Sequence, residues 1–368
     1  IRGHTVAPEF TRRHRPGYNG VLDQRPYRPF QPSMITVKPH SPQIATWQSL
    51  WRDSIRDPDE LLELLGLQGF SGRISPLAQS QFALRVPRGF AAKMRMGDIN
   101  DPLLRQVLPL HDELLQAPGF SLDAVGDMAA RQMPGVLHKY QGRALLVTTG
   151  ACAINCRYCF RRHFPYAEES AAANQWQQAI GYLAEDTSIT ELLLSGGDPL
   201  SLSTAKLRSL SDQLKPLTHI KRLRFHTRLP IVLPERVDAE FTDWLSSLPY
   251  QLVFVVHANH ANELDDAVAS ALRALGRAGA TVLNQSVLLQ GVNDSSEDLA
   301  ALSERLFDAG VMPYYLHLLD KVQGAAHFEV PPERAKAIMA ELMARLPGYL
   351  VPKLVREIAG QPNKTPVY

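Results

Sequence analysis

The chain has 368 residues, 45% hydrophobic and 21% charged, enough apolar material for one large core or two domains. Its net charge of +2 is uneven: six arginines against Glu9 and Asp23 give residues 1–33 a net +4, leaving −2 for the rest. No broad basic surface follows, so nucleic-acid binding is not expected, and no run of about 18 apolar residues predicts a membrane span.

Residues 1–33 carry Pro8, Pro16, Pro26, Pro29 and Pro32 without hydrophobic periodicity, and the first methionine is Met34. This stretch reads as a disordered or non-native extension. It lacks the apolar segment of a secretion signal, and its prolines spoil the amphipathic helix of an organellar transit peptide. A helical region is expected over residues 34–135. From Trp47 to about Leu67 the pattern is helical, with Asp57-Pro58-Asp59-Glu60 as a helix start. Short helices and loops follow to about Gln132, read as a cap or docking layer.

From Arg143 the chain alternates. Apolar, β-rich runs occur at 143–149, 190–195, 220–226, 251–257, 281–289 and 312–319. Helical patterns lie near 171–185, 203–215, 235–247, 264–278, 295–309 and 332–346. Repeated strand–helix units predict an α/β fold with a parallel sheet. Six units are too few for a closed eight-stranded barrel, and an open doubly wound sheet also fits six strands. The polar residues favour a partial (β/α)6 barrel, because they fall at strand C-terminal ends, where barrel active sites are built. The core is placed at 136–330. Residues 331–368 form a C-terminal helix, a strand within 350–358 and a turn-rich loop that carries Lys364.

The only cysteines, Cys152, Cys156 and Cys159, form a C-x3-C-x2-C run after the first of these strands. Three thiolates can hold three corners of a 4Fe-4S cluster, leaving the fourth iron open to bind a substrate. Two other readings remain: a redox dithiol at Cys156 and Cys159, or structural zinc with a distant histidine. An odd count argues against a disulfide framework and for a reducing, cytoplasmic compartment. After the second strand, Ser195-Gly196-Gly197-Asp198-Pro199 provides two glycines that let a ligand approach bare backbone. By itself this is also an ordinary turn.

Together, the cysteine run and the Gly-Gly segment resemble a radical S-adenosylmethionine enzyme. In that superfamily the open iron chelates S-adenosylmethionine, the Gly-Gly segment contacts its amino group, and one electron releases a 5′-deoxyadenosyl radical. A narrower likeness covers residues 45–368. PGVLHKYQGR, CRYCFRRHF, LLSGGDPL, RLPIVLPERV, NHANE, LNQSVLLQGVND, MPYYLHLLD and NKTPV resemble lysine 2,3-aminomutases. The tail ending just past NKTPVY and the single cysteine cluster resemble the elongation factor P branch. Its members make (R)-β-lysine, which a partner ligase attaches to elongation factor P.

The resemblance implies three cofactors: a 4Fe-4S cluster on Cys152, Cys156 and Cys159, S-adenosylmethionine, and pyridoxal 5′-phosphate bound to Lys364. Without it, Lys364 would read as a solvated tail lysine. Tyr140 and Arg143 match positions near the cofactor phosphate, and Lys139 stands where catabolic members have arginine. Arg161 matches the arginine that pairs with the substrate carboxylate. Asp320 matches one of two carboxylates for the ε-ammonium of L-lysine, and Glu357 stands where catabolic members have the second, an Asp. The extra methylene moves that carboxylate by roughly 1.5 Å. Ser195, Gly196, Gly197 and Asp198 match the Gly-Gly segment at the cofactor; by position alone, His226, Arg228, Gln285, Asn262 and Glu263 are candidates for adenosyl or cofactor contacts, and each reads equally as a hydrogen-bonded rim residue. His257 and His260 read as polar rim residues rather than a metal pair. The implied enzyme isomerises (S)-α-lysine to (R)-β-lysine and needs an external electron donor. Two alternatives stay open: a free-standing lysine 2,3-aminomutase, and an iron–sulfur protein that transfers electrons or senses iron. The oligomeric state is not legible.

Overall fold

The structure, a computed structural model, describes residues 45–169, 171 and 176–368; the extension expected at 1–33 lies outside them. Among the described residues ten strands form one sheet whose spatial order follows the chain order. β1 (Arg131–Met133), β2 (Val136–Tyr140) and β3 (Arg143–Thr149) pair antiparallel. From β3 the pairing is parallel through β4 (Glu191–Gly196), β5 (Arg222–Thr227), β6 (Gln251–Val256), β7 (Ala280–Val287), β8 (Met312–His317) and β9 (Lys353–Arg356). β10 (Thr365–Pro366) turns back antiparallel onto β9.

Strand order decides between the two expected architectures. A doubly wound sheet reverses its order at a switch point, and this order never reverses. Right-handed crossovers then put the helices that connect the parallel strands on one face and leave the other to curl inward. The result is a partial (β/α)6 barrel, with β1 and β10 at the two ends of the order. Helices Gln177–Glu185, Thr204–Leu214, Ala239–Ser246, Asp266–Arg277, Ser296–Asp308 and Pro332–Arg345 follow β3 to β8 in turn. Local chemistry starts these helices: Ser203, Asp238, Asp265 and Ser295 each accept a hydrogen bond from the amide three residues on.

The strands alternate with period two. On β5, Leu223 and Phe225 are buried toward the helices, while Arg224 and His226 line the interior of the curl. Phe225 stacks on Phe254 of β6 with ring centroids 4.6 Å apart, and Trp244 and Phe241 close over them from a helix. Polar cavity residues are therefore carried on strands whose other face is core.

Two sequence expectations change. The helical stretch from Trp47 splits into helices Trp47–Arg52 and Pro58–Leu64. Asp57 caps the second helix, Pro58 cannot extend the first, and Ile55 between them bridges to Val86. The β1–β2 hairpin was not expected; Pro134-Gly135 makes its turn, with Gly135 at a φ of +80°.

Candidate active site

Inside the curl, at the C-terminal ends of the parallel strands, is a cavity of about 350 Å³. Cys152, Cys156, Cys159 and Arg161 reach it from the loop after β3, and Ser195, Gly196, Gly197 and Asp198 from the end of β4. His226, Arg228, Gln285 and Asp320 enter from β5, β7 and the end of β8. Tyr140 and Arg143 flank the β2–β3 turn, and Glu357 and Lys364 close the C-terminal side.

The N-terminal segment fastens the cysteine loop. Glu113 takes Arg157 through two hydrogen bonds of 2.7 and 2.6 Å and also accepts from Arg162 at 2.7 Å. Arg85 donates to the Cys152 carbonyl, and the Arg157 amide donates to Gln106. On the barrel side, Arg228 donates to Cys156 Sγ and to the Tyr158 hydroxyl, both at 2.7 Å. Burial pushes the Cys152 thiol well up and the Cys159 thiol to about 11, with neighbouring thiols adding to both shifts. Such thiols ionise readily only against a bound cation, so this donor set suits a metal centre. Among the described residues no three His, Cys, Asp or Glu side chains converge as a single metal ion requires.

The opposite end is built from charge. Lys364 Nζ donates to Glu357 Oε2 at 3.2 Å, and the Tyr140 hydroxyl donates to Glu357 Oε1. Burial lowers the Lys364 pKa against the opposing pull of Glu357 and Asp320. Asp320 forms no side-chain hydrogen bond or ion pair among the described residues, and burial pushes its carboxyl up to about 7. Arg143 stacks on the Tyr140 ring at 4.5 Å and pairs with no carboxylate among the described residues. That leaves its guanidinium available to an anion such as a phosphate. Arg161 donates through Nε to Asp127 at 2.7 Å and through Nη1 to Ser195 Oγ at 3.1 Å.

Between the two ends stands a wall of uncharged polar groups. His226, His257 and His317 each bury an Nε2 with no partner, as Gln285 buries its Oε1. Burial is the first cause of their lowered pKa values: His257 falls to about 3, and His226 and His317 fall well below the ordinary range. Orphaned buried atoms facing a cavity are what a polar ligand would satisfy.

A 4Fe-4S single cluster domain matches residues 141–226. An L-lysine 2,3-aminomutase from Escherichia coli is 51% identical over 89% of this chain and 96% of its own length. One from Haemophilus influenzae is 46% identical over 90% of this chain and 99% of its own length. The chain belongs to the L-lysine 2,3-aminomutase family. Among solved structures, a radical SAM methyltransferase from Sphaerobacter thermophilus overlays with a TM-score of 0.43 at 19% identity, covering 60% of this chain and 68% of that one.

Of the expected site residues, all but Asn262 and Glu263 line this cavity, but their side chains differ in freedom. Asp198 spends both oxygens on the Thr227 hydroxyl and the amides of Leu200, Arg228 and Leu229, so it pins two loops together. A Cβ on Gly196 or Gly197 would lie 2.6 Å from the Thr149 carbonyl oxygen or 2.5 Å from that of Ala151. The close approach of the cysteine loop therefore already demands both glycines. Asn262 is exposed and outside the cavity, whereas Glu263 is buried beneath it, pairing with Arg228 at 2.9 Å. His260 accepts from the Asn262 amide and does not line the cavity. Glu113, Asp127 and His317 were not expected. The arginines of CRYCFRRHF read equally as surface residues in sequence, and only the fold brings Glu113 and Asp127 to them.

Proposed function

We propose that this chain is an L-lysine 2,3-aminomutase carrying a 4Fe-4S cluster on Cys152, Cys156 and Cys159, S-adenosylmethionine, and pyridoxal 5′-phosphate on Lys364. The observation that carries the reading is that the three thiols, Lys364 and the uncommitted Asp320 face one cavity. When bound, the cluster and S-adenosylmethionine supply a carbon radical, and pyridoxal phosphate carries the migrating nitrogen.

The chain's own residues do the positioning. Arg161 takes the substrate carboxylate and Asp320 its ε-ammonium, so the molecule is gripped at both ends. Tyr140 and Arg143 hold the cofactor phosphate. Burial keeps the Lys364 amine readier to lose its proton. Ser195, Gly196, Gly197, His226 and Gln285 offer backbone and uncharged polar groups to the adenosyl moiety, while Arg228 touches the cluster through Cys156. The barrel walls keep water from the radicals. An external donor supplies the electron.

In this reading the segments 34–135, 136–330 and 331–368 act as docking layer, radical core and cofactor-lysine closure, the first of them described from residue 45 on. A reducing, cytoplasmic setting suits the cluster, and no helix among the described residues is long and apolar enough to cross a membrane. The product is (R)-β-lysine, passed to the ligase that modifies elongation factor P. A free-standing mutase is the second reading. An iron–sulfur protein that only transfers electrons or senses iron gives Lys364 and Asp320 no role.

Lys364→Ala tests the assignment: turnover is lost while the cluster's iron and absorption remain, and a fully active variant refutes it. The mass of elongation factor P from cells lacking this gene tests the destination. It is lighter by the β-lysyl group if the branch assignment holds and unchanged if the enzyme is free-standing.

A further inference from the structure

We propose that Asp127 is a positioning residue of the lysine site, holding Arg161 and Lys139 on one carboxylate so that the carboxylate-binding edge of Arg161 faces the cavity. This rests on the aminomutase reading above.

Asp127 lies ahead of β1, outside the parallel strands, and is only 2% exposed. Its Oδ2 accepts from Arg161 Nε at 2.7 Å, and its Oδ1 pairs with Lys139 Nζ at 2.7 Å. Its own place is braced from behind, because Asp123 accepts from the amides of Asp127 and Met128 at 2.9 and 3.0 Å. Burial alone would push the Asp127 carboxyl up, but Arg161 and Lys139 hold it below its ordinary value.

The consequence for Arg161 is geometric. Nε is spent on Asp127 and Nη1 on Ser195, and the guanidinium carbon stands 4.8 Å from the Phe160 ring and 5.9 Å from the Phe164 ring. Among the described residues only Nη2 is left without a protein partner. A planar guanidinium held at two edges and against two rings presents that remaining edge in one orientation.

Lys139 is placed by the same carboxylate and by the Val125 carbonyl at 2.8 Å, which keeps it 3.9 Å from Glu357. Glu357 takes Lys364 at the shorter distance of 3.2 Å, with the Tyr140 hydroxyl on its other oxygen. The charges sort accordingly. Around Asp127, two cations face one carboxylate. Around Lys364 lie two carboxylates, Asp320 and Glu357, with Lys139 held at the edge, 3.9 Å from Glu357. The cavity is thus positive where a substrate carboxylate would dock and negative where an ammonium would dock.

The test is Asp127→Asn in the reconstituted holoenzyme, assayed with L-lysine and with L-lysinamide, which lacks the carboxylate, as competing ligand. Losing a charged hydrogen bond to Arg161 should raise KM for lysine roughly tenfold or more, with kcat changed less. The preference for lysine over lysinamide should shrink, and pyridoxal phosphate should bind more weakly in an absorbance titration that needs no turnover. Iron content should stay near wild type, and Asp127→Glu should fall between wild type and Asn. A cluster-bearing Asn variant with wild-type KM and unchanged lysine-to-lysinamide preference overturns the proposal, as does a loss confined to kcat. If the Asn variant does not accumulate, Asp127→Glu decides alone: wild-type KM and preference overturn the proposal. Wild-type enzyme that does not turn over lysine would instead sink the parent reading.

Discussion

Lys364 and Glu357 face each other across the β9–β10 hairpin, with Nζ 3.2 Å from Oε2. The hairpin register pairs Thr365 with Arg356, and one step further out brings these two side chains opposite. Glu357 stabilises the ammonium form of Lys364 against burial, which favours the free amine. Glu357→Gln removes that support, so the amine should deprotonate at lower pH. On the proposed cofactor assignment, borohydride trapping of pyridoxal phosphate on the Lys364 peptide, followed against pH, should show its midpoint moved down. An unchanged midpoint would mean that the contact has no electrostatic weight.

If Asp320 takes the ε-ammonium as proposed, the substrate step has its own pH dependence. Its carboxyl titrates near 7 because of burial, with Glu357 raising it further and Lys364 and Lys139 opposing. The protonated acid cannot pair with an ammonium. KM for lysine should therefore fall as pH rises toward about 7 and level off above it. Asp320→Asn should abolish this dependence and raise KM by roughly a hundredfold, the scale of about 3 kcal/mol for an unpaired buried charge. Steady-state kinetics from pH 6 to 9 would check both outcomes.

Glu113 is the joint between the N-terminal layer and the cysteine loop. Its side chain is 1% exposed and meets Arg157 and Arg162, which are 0% and 1% exposed. Glu113→Gln leaves two buried guanidinium groups without their counter-charge, a cost on the order of 3 kcal/mol. Thermal unfolding should show a melting temperature lower by several degrees, with less iron retained per chain. A variant with wild-type melting and iron would show that the joint is not held by charge.

Gly196 ends β4 at a φ of +117°, where a Cβ would meet the Thr149 carbonyl oxygen at 2.6 Å and Val147 Cγ1 at 3.1 Å. Both strain and overlap oppose a side chain there. Gly196→Ala should destabilise the fold by about 1–3 kcal/mol and displace the loop that carries Cys152. Denaturant unfolding and iron content should fall together; a neutral variant would contradict the packing account.

How far the sequence was legible follows from what each signal encodes. The six strand–helix units, ending on Arg143–Thr149 through Met312–His317, show in apolar runs and polar caps because each is local. Strand order was not written in any one unit, and it excluded the doubly wound sheet only once the pairings were known. The cysteine run and Lys364 were legible as types and motifs. The partners that aim them were not. Asp127 and Arg161 are 34 residues apart, and Glu113 and Arg157 are 44 apart. An acidic residue in a helical or irregular segment carries no mark of the arginine it will meet. The Gly-Gly segment was legible as a close approach, but what approaches it in the fold is the cysteine loop's own backbone.

The most direct test is anaerobic incubation of the reconstituted protein with S-adenosylmethionine, pyridoxal phosphate, dithionite and L-lysine, with products resolved by chiral mass spectrometry. The account predicts (R)-β-lysine, formed only when all the cofactors are present. Cleavage of S-adenosylmethionine with lysine untouched would contradict it, leaving a radical enzyme whose substrate is not lysine.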